Sequence, residues 1–252
     1  MRPVTLVPVS SEPRPGFFLS FEGGEGVGKS TQAALLGEWL RAAFGREVVL
    51  TREPGGTTLG NELRNAVLHG EDVDPRTEAL LYATDRAHHV HSLVRPALER
   101  GAVVITDRYL DSSVAYQGNG RDLGADEVEQ LSLWATRGLL PQLTVLLDLD
   151  PLIGLTRLTG DPDRLERAGD EFHRRIRQAF LERAAADRGR WLVVDASRTV
   201  DEIQADVRRR VTAALTEPVF TEPVTTVTVP AVPVPAPSAR ADGLHFDSAG
   251  PR

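Results

Sequence analysis

The chain has 252 residues, 41% of them hydrophobic, and a formal net charge of −7. That length and apolar content suit one large domain or two small ones, and the acidic balance argues against a general nucleic-acid binder, whose footprint would be basic. There is no cysteine, which excludes disulfides, a thiol nucleophile and thiolate metal sites, and fits a reducing, cytoplasmic compartment.

Residues 1–15 are rich in Pro and Ser and predict a flexible extension; they lack the uninterrupted apolar core of a signal peptide. No apolar run reaches the roughly 18–20 residues of a membrane helix, so no membrane association is expected. GFFLSFE (16–22) predicts a strand that runs into a Gly-rich loop, and STQAALLGEWLRAAFG (30–45) a helix closed by Gly45. EVVLTRE (47–53) is a second strand, and 58–69 and 76–100 read as helices. AVVITD (102–107), LTVLLDLD (143–150) and WLVVDA (191–196) are three further strands, with helices expected over 125–137, 151–158, 170–188 and 200–215. Strands alternating with helices in this way predict an α/β fold: a five-stranded parallel sheet with helices on both faces. The Val, Thr and Pro repeats of 217–243 block helix and sheet, so 216–252 reads as a disordered tail and 16–215 as the folded domain.

One of the 29 basic residues is a lysine. It stands in Gly23-Gly24-Glu25-Gly26-Val27-Gly28-Lys29-Ser30, which matches G-x-x-x-x-G-K-[ST] with a strand before and a helix after. Glycines let consecutive N–H groups turn inward on phosphate oxygens, and the following helix adds its positive end. Lys29 is expected on the β- and γ-phosphates, and Ser30 on Mg²⁺. The loop therefore predicts a nucleoside triphosphate site. Guanine-reading proteins of this class use an Asn-Lys-x-Asp loop, and the single lysine is already spent in the phosphate loop. An ATP-driven ATPase or a kinase with a small acceptor remains.

Four stretches favour the kinase: TREPGGT (51–57), EALLYATDRAHH (78–89), DRYLDSSVAYQG (107–118) and RLTGDPDRLE (157–166). The first and third follow strands, where ligands of parallel sheets bind. Together they bring acids, arginines and rings to the mouth of the sheet. In order with the phosphate loop, they resemble thymidylate kinase, of the nucleoside monophosphate kinase group, over about 17–215.

The resemblance implies a P-loop nucleoside monophosphate kinase fold with a short lid, acting as a homodimer. It implies transfer of phosphate from ATP to dTMP with Mg²⁺. The donor site would take residues 23–31, ending at Thr31. Glu25 would contact the acceptor sugar, and Glu53 would line the acceptor site. Tyr82 would stack on thymine, and Arg86 would bond the base edge. Arg108 would grip the acceptor phosphate, and Asp107 would hold a magnesium-bound water. Ser113 and Gln117 would contact the base, and Tyr116 would crowd C2′. With no Arg in the phosphate loop, the lid would supply the cation, Arg164 first and Arg157 second, although Arg157 is also placed to pack on adenine. No general base is needed, because the attacking phosphate oxygen is already ionised. The His88, His89 and His91 cluster has no nearby carboxylate to complete a metal site. The competing readings are a kinase for another monophosphate and a P-loop ATPase or nucleotide-sensing protein.

Overall fold

The computed structural model describes residues 15–158 and 163–216. Nearly all of the predicted tail and of the predicted N-terminal extension, and Thr159 to Pro162 of the lid segment, lie outside the described residues. Five strands, β1 (Phe17–Glu22), β2 (Val48–Arg52), β3 (Val103–Asp107), β4 (Leu143–Asp148) and β5 (Trp191–Asp195), form one parallel sheet in the order β2-β3-β1-β4-β5. Leu19 pairs with Ile105 on one side and Leu143 on the other.

The three central strands, β3, β1 and β4, are buried along nearly their whole length because helices cover both faces, whereas Leu50 on β2 and Val193 on β5, at the edges, stay exposed. Phe17, Leu19 and Phe21 pack with Leu36 and Leu40 of α1 (Lys29–Phe44) and Val207 and Val211 of α9 (Val200–Thr216). Phe18 and Val104 face the opposite layer, against Val90, Val94 and Ala97. On that layer the buried Ser20 Oγ donates to Thr144 Oγ1 at 3.2 Å, and Thr144 Oγ1 also accepts from Arg190 Nη1 at 3.0 Å.

Local chemistry starts several helices. Thr57 caps α2 (Thr58–His69) by accepting from Gly60 N at 2.9 Å. Asp74 caps α3 (Pro75–His89) by accepting from Arg76 N and Thr77 N, with Pro75 at the first helical position. The single helix predicted over 76–100 is in fact α3, a π-helical turn (Val90–Val94) and α4 (Arg95–Glu99). Pro96 accounts for the break: it has no N–H, and its ring clashes with the carbonyl four residues earlier, so a wider turn precedes it.

No helix was expected after β3, yet α5 (Leu110–Ser113) continues into a π-helical turn (Val114–Gly120). Ser, Val and Gly are weak helix formers, and burial overrides them. Tyr116 meets Phe172 and Phe180 edge-on, and Val114 and Ala115 are fully buried. The remaining helices are α6 (Ala125–Thr136), α7 (Pro151–Thr156) and α8 (Asp170–Ala186), with a short 3-10 turn at Glu166–Ala168. Asp111, fully buried on α5, ties α8 and the approach to β5 together through Arg183 at 2.6 Å and Arg190 at 2.7 Å.

From β1 the chain leaves towards β2, and from β4 it leaves towards β5. Adjacent strands whose connections part in this way open a crevice at their carboxyl ends, where the phosphate loop lies.

Candidate active site

The phosphate loop joins β1 to α1. Gly23, Gly26 and Gly28 have φ of 133°, 65° and 93°, values that favour glycine. A Cβ on Gly26 would lie 1.9 Å from Gly154 O of α7, so the loop and that helix approach at backbone distance. Val27 is the exception in the loop, because its side chain is in the core. Lys29 is buried, and its Nζ donates to Gly24 O at 2.6 Å and Gly23 O at 3.3 Å. Burial pulls its pKa down, aided by Arg108 and opposed by Glu25, Asp107 and Glu22. Thr31 is exposed in the first turn of α1.

Ser30 Oγ donates to Asp107 Oδ2 at 2.5 Å, joining the start of α1 to the end of β3. Hydroxyl and carboxylate are both hard oxygen donors, so the pair fits Mg²⁺ in chemical type. His89 does not face this site: it is fully buried, with Nδ1 2.8 Å from Glu53 Oε1 and Nε2 2.7 Å from Thr51 Oγ1.

Beside the loop is a small, half-open cavity of about 60 Å³ that admits water-sized groups. One wall is Glu25, Arg108 and Tyr116. Arg108 has φ of 69°, an uncommon value for a side-chain-bearing residue. Its guanidinium donates to Gly23 O at 3.0 Å, Ser112 Oγ at 3.1 Å and Glu25 Oε1 at 2.6 Å, and it lies 4.9 Å from the Tyr116 ring centre. Tyr116 OH donates to the same Glu25 oxygen at 2.8 Å. Burial alone would raise the Glu25 pKa, but Arg108 and Lys29 overcome it and hold the group at about 2.

A second wall comes from α3 and the segment after β3. Tyr82 lines the cavity with Ser113 and Gln117. Arg86 also lines it, but four hydrogen bonds engage it within the protein: to Glu53 Oε2 at 2.7 Å, Ser132 Oγ at 3.1 Å, Ser113 Oγ at 3.1 Å and Tyr109 O at 3.3 Å. Glu53 is likewise taken up on both oxygens, by Arg86 and His89. A buried charge is tolerated only when paired in this way.

The lid arginines depart from expectation. Arg164 is not at the phosphate loop: it is buried, donates from Nε to Val67 O at 3.0 Å, and lies 2.8 Å from Glu78 Oε2. That last contact is an ion pair whose angle falls short of a hydrogen bond. The reason is the buried carboxylate of Glu78, which needs a cation. Arg157 is exposed and reaches Ala196 O at 3.4 Å, beyond β5.

Sequence reasoning missed Arg64 and Glu78. Arg64 lines the cavity and donates to Pro54 O at 3.0 Å. Burial lowers its pKa, and the positive charges of Arg52 and Arg108 lower it further against the opposing influence of Tyr82. The usable signal was the spacing of Arg64 and Leu68, one helical turn apart on α2 and both on the cavity wall.

A Gly-rich anion cradle at a sheet switch point, beside a cavity walled by Arg64, Arg86 and Arg108, defines the class of P-loop phosphotransferases. The sequence profile of the family described as Thymidylate kinase matches residues 21–207. A thymidylate kinase of Leifsonia xyli is 62% identical over 202 residues, covering 79% of this chain and 95% of that protein. One from Bifidobacterium longum is 55% identical over 197 residues, covering 76% and 95%. The crystal structure of thymidylate kinase from Ehrlichia chaffeensis superposes with a TM-score of 0.65 at 30% identity, covering 78% of this chain and 99% of that one. The chain belongs to the thymidylate kinase family, and its fold is the P-loop nucleoside monophosphate kinase fold.

Proposed function

We propose that the cavity beside the phosphate loop is the acceptor site of a dTMP kinase. As a member of its family, the chain transfers phosphate from ATP to dTMP, giving dTDP for dTTP synthesis. The observation that carries the site assignment is the Glu25–Arg108–Tyr116 wall, which joins the phosphate loop directly to the acceptor cavity.

In this reading residues 23–31 cradle the ATP phosphates, with Lys29 on the β- and γ-phosphates. Arg157 sits on the adenine side, near Ala196. Arg108 and Arg64 grip the acceptor phosphate; two guanidinium forks suit its oxygens, and an anion relieves their mutual repulsion. Tyr82 stacks on the base, Ser113 and Gln117 meet its edge, and Arg86 holds Ser113 and Glu53 in place. Glu25 accepts from the sugar hydroxyl, and Tyr116 excludes a 2′-hydroxyl by bulk. The reaction needs two polyanions aligned and their repulsion offset, and Lys29 and Arg108 do both. Arg164 joins them only by leaving Glu78. Ser30 and Asp107 would hold Mg²⁺, directly or through its water. Bound there, the metal offsets charge on the phosphates.

No described helix is long and apolar enough to cross a membrane, and the reading places the enzyme in the cytoplasm. A homodimer is supported by Leu80 on α3 and Trp134 on α6, which are 55% and 77% exposed on helices that pack together. The test is a coupled ADP-release assay with dTMP, dUMP, dCMP and dGMP as acceptors. Turnover led by dTMP is expected. ATP hydrolysis indifferent to all four would reject the acceptor site.

A further inference from the structure

Glu78 lies outside the chemistry described above, yet it is 1% exposed and faces donors from three directions. Gln117 Nε2 donates to its Oε1 at 2.7 Å. Arg164 and Arg121 approach its Oε2 at 2.8 and 3.4 Å. Each of these contacts is a donor facing a Glu78 oxygen, the arrangement a carboxylate accepts. The amide of Gln117 therefore has one orientation: its NH₂ faces Glu78 and its carbonyl Oε1 points the other way. Gln117 lines the acceptor cavity, and among the described residues no hydrogen bond is made to its Oε1. Tyr82 stands one helical turn beyond Glu78 on α3, so the same face of the helix carries the ring and the acid behind the amide.

We propose that Glu78 is a positioning residue for base selection: it locks the Gln117 amide so that an acceptor oxygen, and not a donor, faces the base. An acceptor there pairs with the ring N3–H of a pyrimidine dione such as thymine or uracil. Cytosine presents an unprotonated N3, a second acceptor, which leaves two buried lone pairs opposed. Without Glu78 the amide turns freely and meets either base. This rests on the reading that Gln117 meets the base edge.

The experiment is kcat/KM for dTMP, dUMP and dCMP in the wild-type protein, Glu78→Gln, Gln117→Leu and the double variant. Glu78→Gln is expected to lower the dTMP to dCMP ratio by about tenfold or more, chiefly through KM, with the dTMP to dUMP ratio and the KM for ATP unchanged. Gln117→Leu is expected to lower the same ratio, and adding Glu78→Gln to it should change the ratio no further. An equal loss on all three acceptors, an unchanged ratio in Glu78→Gln, or additive effects in the double variant would overturn the role of Glu78. If Glu78→Gln does not fold, Gln117→Leu, which keeps Glu78 on its arginines, still decides: a retained ratio overturns the proposal. A wild-type protein that does not turn over dTMP would overturn the acceptor-site reading itself, a different result from any of these.

Discussion

Arg64 and Arg108 illustrate how single residues divide the work. Arg108 is fixed by three acceptors and an unusual backbone conformation, whereas among the described residues Arg64 donates to Pro54 O alone. Arg64 can thus turn to an incoming phosphate at small cost. Arg64→Ala should raise the KM for dTMP roughly tenfold, the scale of one charge-assisted hydrogen bond, while kcat stays within about threefold. Steady-state kinetics check this, and an unchanged KM would remove Arg64 from the site. Glu22 offers a test in pH. Burial, then the neighbouring Asp111 carboxylate, push its pKa from 4.5 up to about 8, against the hydrogen bonds from Ser112 and Tyr109. A raised acid favours the neutral form in the fold. Its stabilising proton is fully held below about pH 4.5 in both states, and the advantage over the unfolded chain is lost as pH rises through about 8. Glutamine cannot ionise and has nearly the same shape, so Glu22→Gln should melt higher than wild type at pH 9 and close to it at pH 5. Parallel melting curves across that range would contradict it. Glu25 runs the opposite way: its ion pair contributes stability above about pH 4.5 that is lost as pH falls through about 2.

At the scale of elements, the phosphate loop was legible because its signal is contiguous and each position has a local reason. Its seat on α7 was not. Gly154 and Gly26 are far apart in the chain, yet each leaves no room for a Cβ on the other's side; a Cβ on Gly154 would lie 2.3 Å from Glu25 O. Gly154→Ala should push the loop off its position and weaken ATP binding by about tenfold or more, since overpacking of this kind costs on the order of 1–3 kcal/mol. Calorimetric titration with ATP reads this directly, and wild-type affinity would mean the contact is slack. The two π-helical turns were invisible for a related reason. Period 3.6 predicts a helix well, but a wider turn depends on what the segment packs against. Pro96 was a visible cause for the first. The second, Val114–Gly120, forms around Tyr116 and its two aromatic neighbours on α8, which no local pattern announces.

For the whole molecule, the outward faces of α3 and α6 carry the argument. Trp134 at 77% exposure and Leu80 at 55% are costly to leave in water, and a second copy is the partner proposed for them. Trp134→Glu should therefore shift the protein from dimer to monomer in analytical ultracentrifugation, with the monomer's fold retained in circular dichroism. A dimer of undiminished affinity would place the interface elsewhere.

The amino-acid sequence by itself determined the alternation of strands and helices, the triphosphate cradle, and the arginine- and ring-bearing stretches beside it. It could do so because strand burial, helical period and the phosphate loop are all set by residues close together in the chain. What only the tertiary structure decided is which groups those side chains serve. Arg86 spends its donors on Glu53, Ser132, Ser113 and Tyr109 O; Arg164 answers Glu78 and Val67 O; Arg64 enters the site from a helix with no motif of its own. The physical reason is that a buried charge takes the partner that packing brings to it, and for all three arginines that partner or cavity is assembled by the fold.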